Sequence, residues 1–300
     1  MAKKLTCLEW SLNMRSDKTA KPHDVFYQAI RELSPCPNVL FLVETVKGND
    51  FEVEGYTVVA ESDNPIGNSV RIAIRSDLLE SGEMRVLQTV GQIPGASFEE
   101  APHYAQADVL FNGRVLNLIA TRVLICSGRS TVEEYRQRGR QFDLLAKHLS
   151  TLENPVVMGD FNHGRILGTE QTSAEMIRIL YDDCLQVQGG YFYQYICEEL
   201  GAREFALRTP ELYVSCGPKV VGDTVIAGET PSWNYKIDHL IMRANSDALT
   251  LADLRYDWRH LEWEVKKGAT QDILKKKGFP DHAMLVAEIM VKDNEESEAQ

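Results

Sequence analysis

Acidic and amide side chains in this sequence gather where apolar runs begin or end. Asn13 follows the stretch from Thr6, and Glu44 follows Val39 to Val43. Asp160 and Asn162, in Gly159-Asp160-Phe161-Asn162, follow Pro155 to Met158. Asp238 falls in Ile237-Asp238-His239-Leu240, and Asp281-His282 precede the closing run Ala283 to Val291. A strand end holds a side chain still while offering it to solvent. Carboxylates and amides with one histidine and no cysteine form the ligand set of a hard divalent cation, Mg²⁺ or Mn²⁺. Zinc would ask for more His or Cys. Asp238, inside an apolar strand, needs a partner, and His282 is the candidate. Strand alternation turns His239 to the other face.

The elements that must present these residues are legible in outline. Thr6 to Asn13 reads as a strand, and Pro22 to Leu33 has helical spacing, with Pro22 suited to a first helical position. Val39 to Val43 is a short apolar run, the pattern of a strand buried on both faces, ending in Glu44. Tyr56 to Ala60, Val70 to Ile74 and Met84 to Val90 read as further strands. Ala107 to Phe111, Asn112-Gly113 and Val115 to Val123 predict a hairpin, because Asn-Gly suits a type I′ turn. Thr131 to Leu152 reads as a long amphipathic helix, and Ser173 to Asp182 and Tyr191 to Leu200 as shorter ones. One short strand is expected near Val220 to Ile226, then strands at Tyr235 to Met242 and Ala283 to Val291. Strand follows strand more often than helix follows strand. That order favours two facing sheets with helices outside over a doubly wound parallel sheet. With no linker or repeat, residues 1–292 are expected to form one domain, and 293–300 an acidic tail.

Composition narrows the classes. Across 300 residues, 44% are hydrophobic and 25% charged, which excludes collagen-like and wholly disordered chains. The net charge of −12 argues against a non-specific nucleic-acid coat, though a local basic surface or a metal ion could still bring phosphate in. The six cysteines include no C-x-x-C pair. No run of eighteen apolar residues predicts a membrane span. No secretion signal is visible, so a cytoplasmic location is expected.

Taken in order, Leu12-Asn13-Met14-Arg15, Leu42-Val43-Glu44, Gly159-Asp160-Phe161-Asn162, Ile237-Asp238-His239-Leu240 and Asp281-His282 resemble the motifs of the endonuclease/exonuclease/phosphatase superfamily. The resemblance spans residue 5 to about 291. It implies an α/β (α+β) fold, a four-layered α/β/β/α sandwich of two mixed sheets packed face to face with helices outside. It also implies metal-assisted attack of water on a phosphate ester. By the same resemblance Glu44 is the main metal ligand, with Asp281 and Asn13 beside it. Asp160 would orient or deprotonate the attacking water, and Asn162 would hold a phosphate oxygen. His282, oriented by Asp238, would stabilise charge building on the phosphate. Two positions depart from the pattern. Ala120-Thr121-Arg122-Val123-Leu124 lacks the His or Tyr–Asn pair of many relatives, leaving Arg122 to hold phosphate in their place. Pro280 stands where many relatives have Ser.

Loops name the substrate. Arg122 and Arg129 belong to an arginine-rich stretch around the hairpin and long helix, and Trp233-Asn234 could stack on a base. The reading is a Mg²⁺- or Mn²⁺-dependent nuclease acting on DNA or RNA. The alternatives are a phosphatase or phosphodiesterase on a small phosphorylated metabolite, nucleotide or lipid headgroup, and a catalytically weakened scaffold of the same fold.

Overall fold

A computed structural model of the chain describes residues 1–12, 24–46, 52–65, 67–124, 132–162, 205–208, 219–221, 224–226, 238–243, 245–257, 263–266, 273–276 and 282–294. Its first elements are β1 (Lys3–Ser11), α1 (Asp24–Glu32), β2 (Val39–Val46), β3 (Tyr56–Glu61), β4 (Asn68–Arg75), α2 (Ser76–Glu80) and β5 (Met84–Val90). The hairpin β6 (His103–Phe111) and β7 (Arg114–Arg122) leads to α3 (Val132–Ser150) and β8 (Pro155–Asp160). Then come β9 (Phe205–Arg208), β10 (Lys219–Val221), β11 (Thr224–Ile226), β12 (Asp238–Arg243) and β13 (Leu249–Asp257). Last are β14 (Trp263–Lys266), β15 (Ile273–Lys276) and β16 (Met284–Val291).

The long strands form two six-stranded mixed sheets, in the orders β13-β16-β1-β2-β4-β3 and β5-β6-β7-β8-β12-β9. This is the two-sheet sandwich expected of the sequence. Each sheet holds one parallel pair, β1 with β2 and β7 with β8. These strands are buried along nearly their whole length, which is why they read as continuous apolar runs.

Alternation along β1 and β2 sorts side chains to two cores. Leu5, Cys7, Val39, Phe41 and Val43 pack in one cluster with Ala105, Ala107, Leu118, Ala120, Val156 and Met158 of the second sheet. Leu8, Trp10, Leu40 and Leu42 join a separate cluster with Phe26, Ala29 and Ile30 of α1, and Trp10 stacks on Phe26 at 5.3 Å between ring centroids. Each fully buried large apolar side chain contributes about 1.5–3 kcal/mol against conformational entropy.

The Asn112-Gly113 hairpin forms as its residues predict, with both positions at positive φ (50° and 72°) as a type I′ turn requires. Several features differ from the sequence reading, which also lacks α2, β9, β14 and β15. β2 does not stop at Glu44 but runs to Val46 through a register shift between Leu42 and Thr45. The single strand expected near Val220 is a pair of short antiparallel strands, β10 and β11. β13, absent from the sequence reading, completes the first sheet against β16. Among the described residues no helix is long and apolar enough to cross a membrane.

Candidate active site

Strand direction brings the chemistry to one end of the sandwich. Glu44, Arg122 and Asp160 lie late in the parallel strands β2, β7 and β8. β12 and β16 run antiparallel to β8 and β1, so Asp238, which opens β12, and His282, just before β16, arrive at that same end. Asp238 is the register partner of Asp160, and Asp160 in turn faces Arg122. Two side-chain pairs then join the sheets at this end. His282 Nδ1 lies 2.9 and 3.1 Å from the Asp238 carboxylate oxygens, and Arg122 Nη2 lies 2.6 Å from Glu44 Oε1.

The β7–β8 approach depends on Gly159. A Cβ there would stand 1.9 Å from the Thr121 carbonyl oxygen, a backbone atom that cannot turn aside. Glycine therefore permits the pairing that sets Arg122 beside Asp160. Backbone strain marks the site as well. Glu44 and Asn162 take positive φ, 54° and 42°, which L-residues adopt at a cost of about 1–2 kcal/mol. For Glu44 the turned backbone sits in the bulge of β2; Asn162 tolerates the conformation better, and its side chain is tied down.

His282 is held at two points. Trp10 Nε1 donates to its carbonyl at 2.8 Å, and Asp238 takes its Nδ1 side. A carboxylate can only accept, so Nδ1 carries the proton. Tyr256 donates its hydroxyl to the Asp238 carbonyl at 2.6 Å, which makes this aromatic part of the site's support. Asp160 receives the Asn162 backbone N–H at 2.8 Å on Oδ1 and its amide at 3.2 Å on Oδ2. The Asn162 amide also donates to the Val123 carbonyl at 2.8 Å, so in this arrangement it serves the loop after β7. His239, on the opposite face of β12, rests 5.8 Å from the Phe161 ring.

The electrostatics are those of crowded, buried acids. Burial pushes the Asp160 carboxyl up to about 7; Asp238 and Glu44 add to the rise, while His282 and Arg122 oppose it. A carboxyl poised there can take a proton from water near neutral pH.

Sequence reasoning missed two residues. Glu9 is fully buried on the inward face of β1, in line with Leu5 and Cys7. Neither of its carboxyl oxygens has a hydrogen-bond partner among the described residues. Burial raises its pKa well above the ordinary value, and Asp238 and Asp160 raise it further against the pull of His282. The signal was present, since an acid in an inward-facing apolar register needs an explanation. His103 on β6 is the register partner of Arg122. Burial, then the positive charge of Arg122, lowers it to about 4, so it stands neutral beside the guanidinium at pH 7.

Of the residues singled out from the sequence, Glu44, Arg122, Asp160, Asn162, Asp238 and His282 are brought together. Asn13, Asp281, Arg129, Trp233 and Asn234 lie outside the described residues, as do the helices expected at 173–182 and 191–200.

Searches of protein-family models and of curated protein sequences give no match. Solved structures do match across nearly the whole chain. An endonuclease/exonuclease/phosphatase family protein from Bacteroides thetaiotaomicron superimposes with a TM-score of 0.59 at 11% identity, covering 97% of this chain and 99% of that one. A mannosyl-6-phosphatase from the same organism, Bt3783, gives 0.55 at 11% identity, covering 95% and 99%. The D. rerio protein TDP2, complexed with a single-strand DNA product, gives 0.52 at 16% identity, covering 95% and 98%. The fold is thus the one found in endonuclease/exonuclease/phosphatase family proteins, the superfamily whose motifs this sequence resembles.

Proposed function

We propose that this chain is a divalent-metal-dependent phosphoric ester hydrolase, a nuclease that cleaves DNA or RNA phosphodiester bonds by attack of water. The observation that carries the reading is the pairing of His282 with Asp238 beside the Glu44–Arg122–Asp160 group, at the shared end of both sheets.

The donor chemistry fits a hard cation. Glu44 and Asp160 bring buried carboxylate oxygens, the ligand type of a hard cation, to this end of the sheets. Arg122 already lies against the Glu44 carboxylate, and the described residues by themselves form no group of three or more acidic, His or Cys ligands. Glu44 would hold the ion, joined by Asn13 and Asp281. A divalent ion held there would supply neutralisation of the phosphate charge and a lowered pKa for water. The remaining steps belong to side chains. Asp160 accepts the proton of the attacking water. Asp238 fixes the His282 tautomer and favours the imidazolium, whose Nε2–H donates to the phosphate as charge builds. Arg122, in the stretch that lacks the His or Tyr–Asn pair of many relatives, contributes a guanidinium fork to phosphate oxygens. Arg129, Trp233 and Asn234 are the further candidates for substrate contact.

A second reading is a phosphatase on a small phosphorylated metabolite. It is favoured by the mannosyl-6-phosphatase among the similar structures and by the acidic net charge, which repels a polyanion at long range. The two separate in one experiment. Purified protein and an Asp160→Ala variant are assayed with Mg²⁺, Mn²⁺ or EDTA on plasmid DNA, single-stranded DNA, RNA and sugar phosphates. Polymer cleavage lost in EDTA and in the variant supports the nuclease. Turnover of monoesters alone supports the phosphatase, and no hydrolysis of any ester defeats both.

A further inference from the structure

Arg122 occupies the carboxylate that the proposed function assigns to a metal. Its Nη2 is 2.6 Å from Glu44 Oε1, and its Nε is 3.8 Å from Asp160 Oδ2, beyond hydrogen-bond reach. That Nε is buried with no hydrogen-bond partner among the described residues. The Arg122 side chain is 14% exposed, while those of Glu44 and Asp160 are 1% and 3% exposed, so screening by water is weak. The Asn68 amide also approaches the same Glu44 oxygen, at a longer 3.5 Å. An ion ligated by Glu44 in this arrangement would lie against a guanidinium of like sign. The two cations cannot share the carboxylate at full strength.

We propose that Arg122 is the resident cation of Glu44, and that a divalent ion and Arg122 compete for that carboxylate. The guanidinium released by the ion turns its donors to the substrate's phosphate oxygens. Phosphate and ion then help one another: the ion frees Arg122 for phosphate, and phosphate draws Arg122 off Glu44. Reciprocity is required by linkage, since each ligand must change the other's affinity by the same factor. The unsatisfied Nε gives the guanidinium a donor to spend on an incoming oxyanion. This inference rests on the reading of Glu44 as a metal ligand.

The test reads binding rather than turnover. Mn²⁺ affinity is measured by electron paramagnetic resonance on the full chain, with and without inorganic phosphate, for wild type, Arg122→Gln and Glu44→Gln. Wild type is expected to bind Mn²⁺ more tightly when phosphate is present. Arg122→Gln, which removes the charge and keeps a planar amide, is expected to bind Mn²⁺ roughly tenfold more tightly than wild type and to gain less from phosphate. Mn²⁺ binding by Arg122→Gln equal to or weaker than wild type overturns the competition. If that variant fails to fold, wild type decides alone: Mn²⁺ affinity indifferent to phosphate overturns it. Glu44→Gln separates the two layers. Undiminished Mn²⁺ binding there defeats the assignment of Glu44 itself, and the competition with it. Lost binding in Glu44→Gln without tightening in Arg122→Gln defeats the competition only.

Discussion

Asp160 and Glu9 are both buried acids, but they are expected to announce themselves in different measurements. Asp160 must be ionised to accept a proton, and its carboxyl is pushed up to about 7. The acid limb of kcat/KM should therefore rise with pH toward an apparent value near 7, far above an ordinary aspartate. A limb near 4 would remove Asp160 as the base. Glu9 acts on stability. Its folded pKa is raised, so the folded state holds a proton that the unfolded state has released. Stability is then fully present below the ordinary glutamate value and declines as pH rises toward the raised one. Glu9→Gln should flatten that decline in a series of urea melts. Glu9→Leu, which removes a buried carboxyl without a hydrogen-bond partner among the described residues, should stabilise by about 1–3 kcal/mol at pH 8. Destabilisation by both would mean that Glu9 has partners its surroundings do not reveal.

The β6–β7 hairpin shows how far sequence reaches at the scale of elements. Its turn was legible because Asn112-Gly113 leaves few alternatives, and its far end carries His103 and Arg122 as register partners. Asn112→Ala should cost about 1–2 kcal/mol in stability, from a left-handed φ and lost bonds to the Met1 and Val291 carbonyls, and leave turnover unchanged. Gly159→Ala, against the Thr121 backbone, should lower both Tm and kcat, because the strands that align Arg122 with Asp160 must part. Equal kcat for the two variants would sever that link. The strand end at Asp160 could be read from an apolar run stopping at an acid, whereas Glu44 and Asp238 could be read only as acids of apolar strands, without the true strand bounds. What could not be read is non-local. The bulge that carries β2 past Glu44 is a property of its pairing with β4. β13 is an edge strand with a mostly half-buried pattern, so its apolar signal is diluted. The inward register of Glu9 follows from its alternation with Leu5 and Cys7, but the acids that act on it, Asp160 and Asp238, come from β8 and β12 and could not be read.

Across the whole molecule, the two sheets share an apolar core and meet at one end through polar contacts, His282 to Asp238 and Arg122 to Glu44. Each contact takes one residue from each sheet, so the site exists only while the sandwich is closed, and activity should vanish with the same denaturation midpoint as global unfolding. A net charge of −12 sets the long-range field against a polyanion, which local basic groups must overcome. KM for DNA should accordingly depend steeply on salt, while KM for a small diester should not. The most direct test of the central claim is hydrolysis of bis-p-nitrophenyl phosphate by wild type and His282→Ala in Mn²⁺, with matched melting curves. A loss of about 10²–10³-fold in kcat is expected, the size seen when one oriented donor to a charged transition state is removed. Full activity in a folded His282→Ala protein would contradict the account, because the Asp238–His282 pair would then stand outside the chemistry.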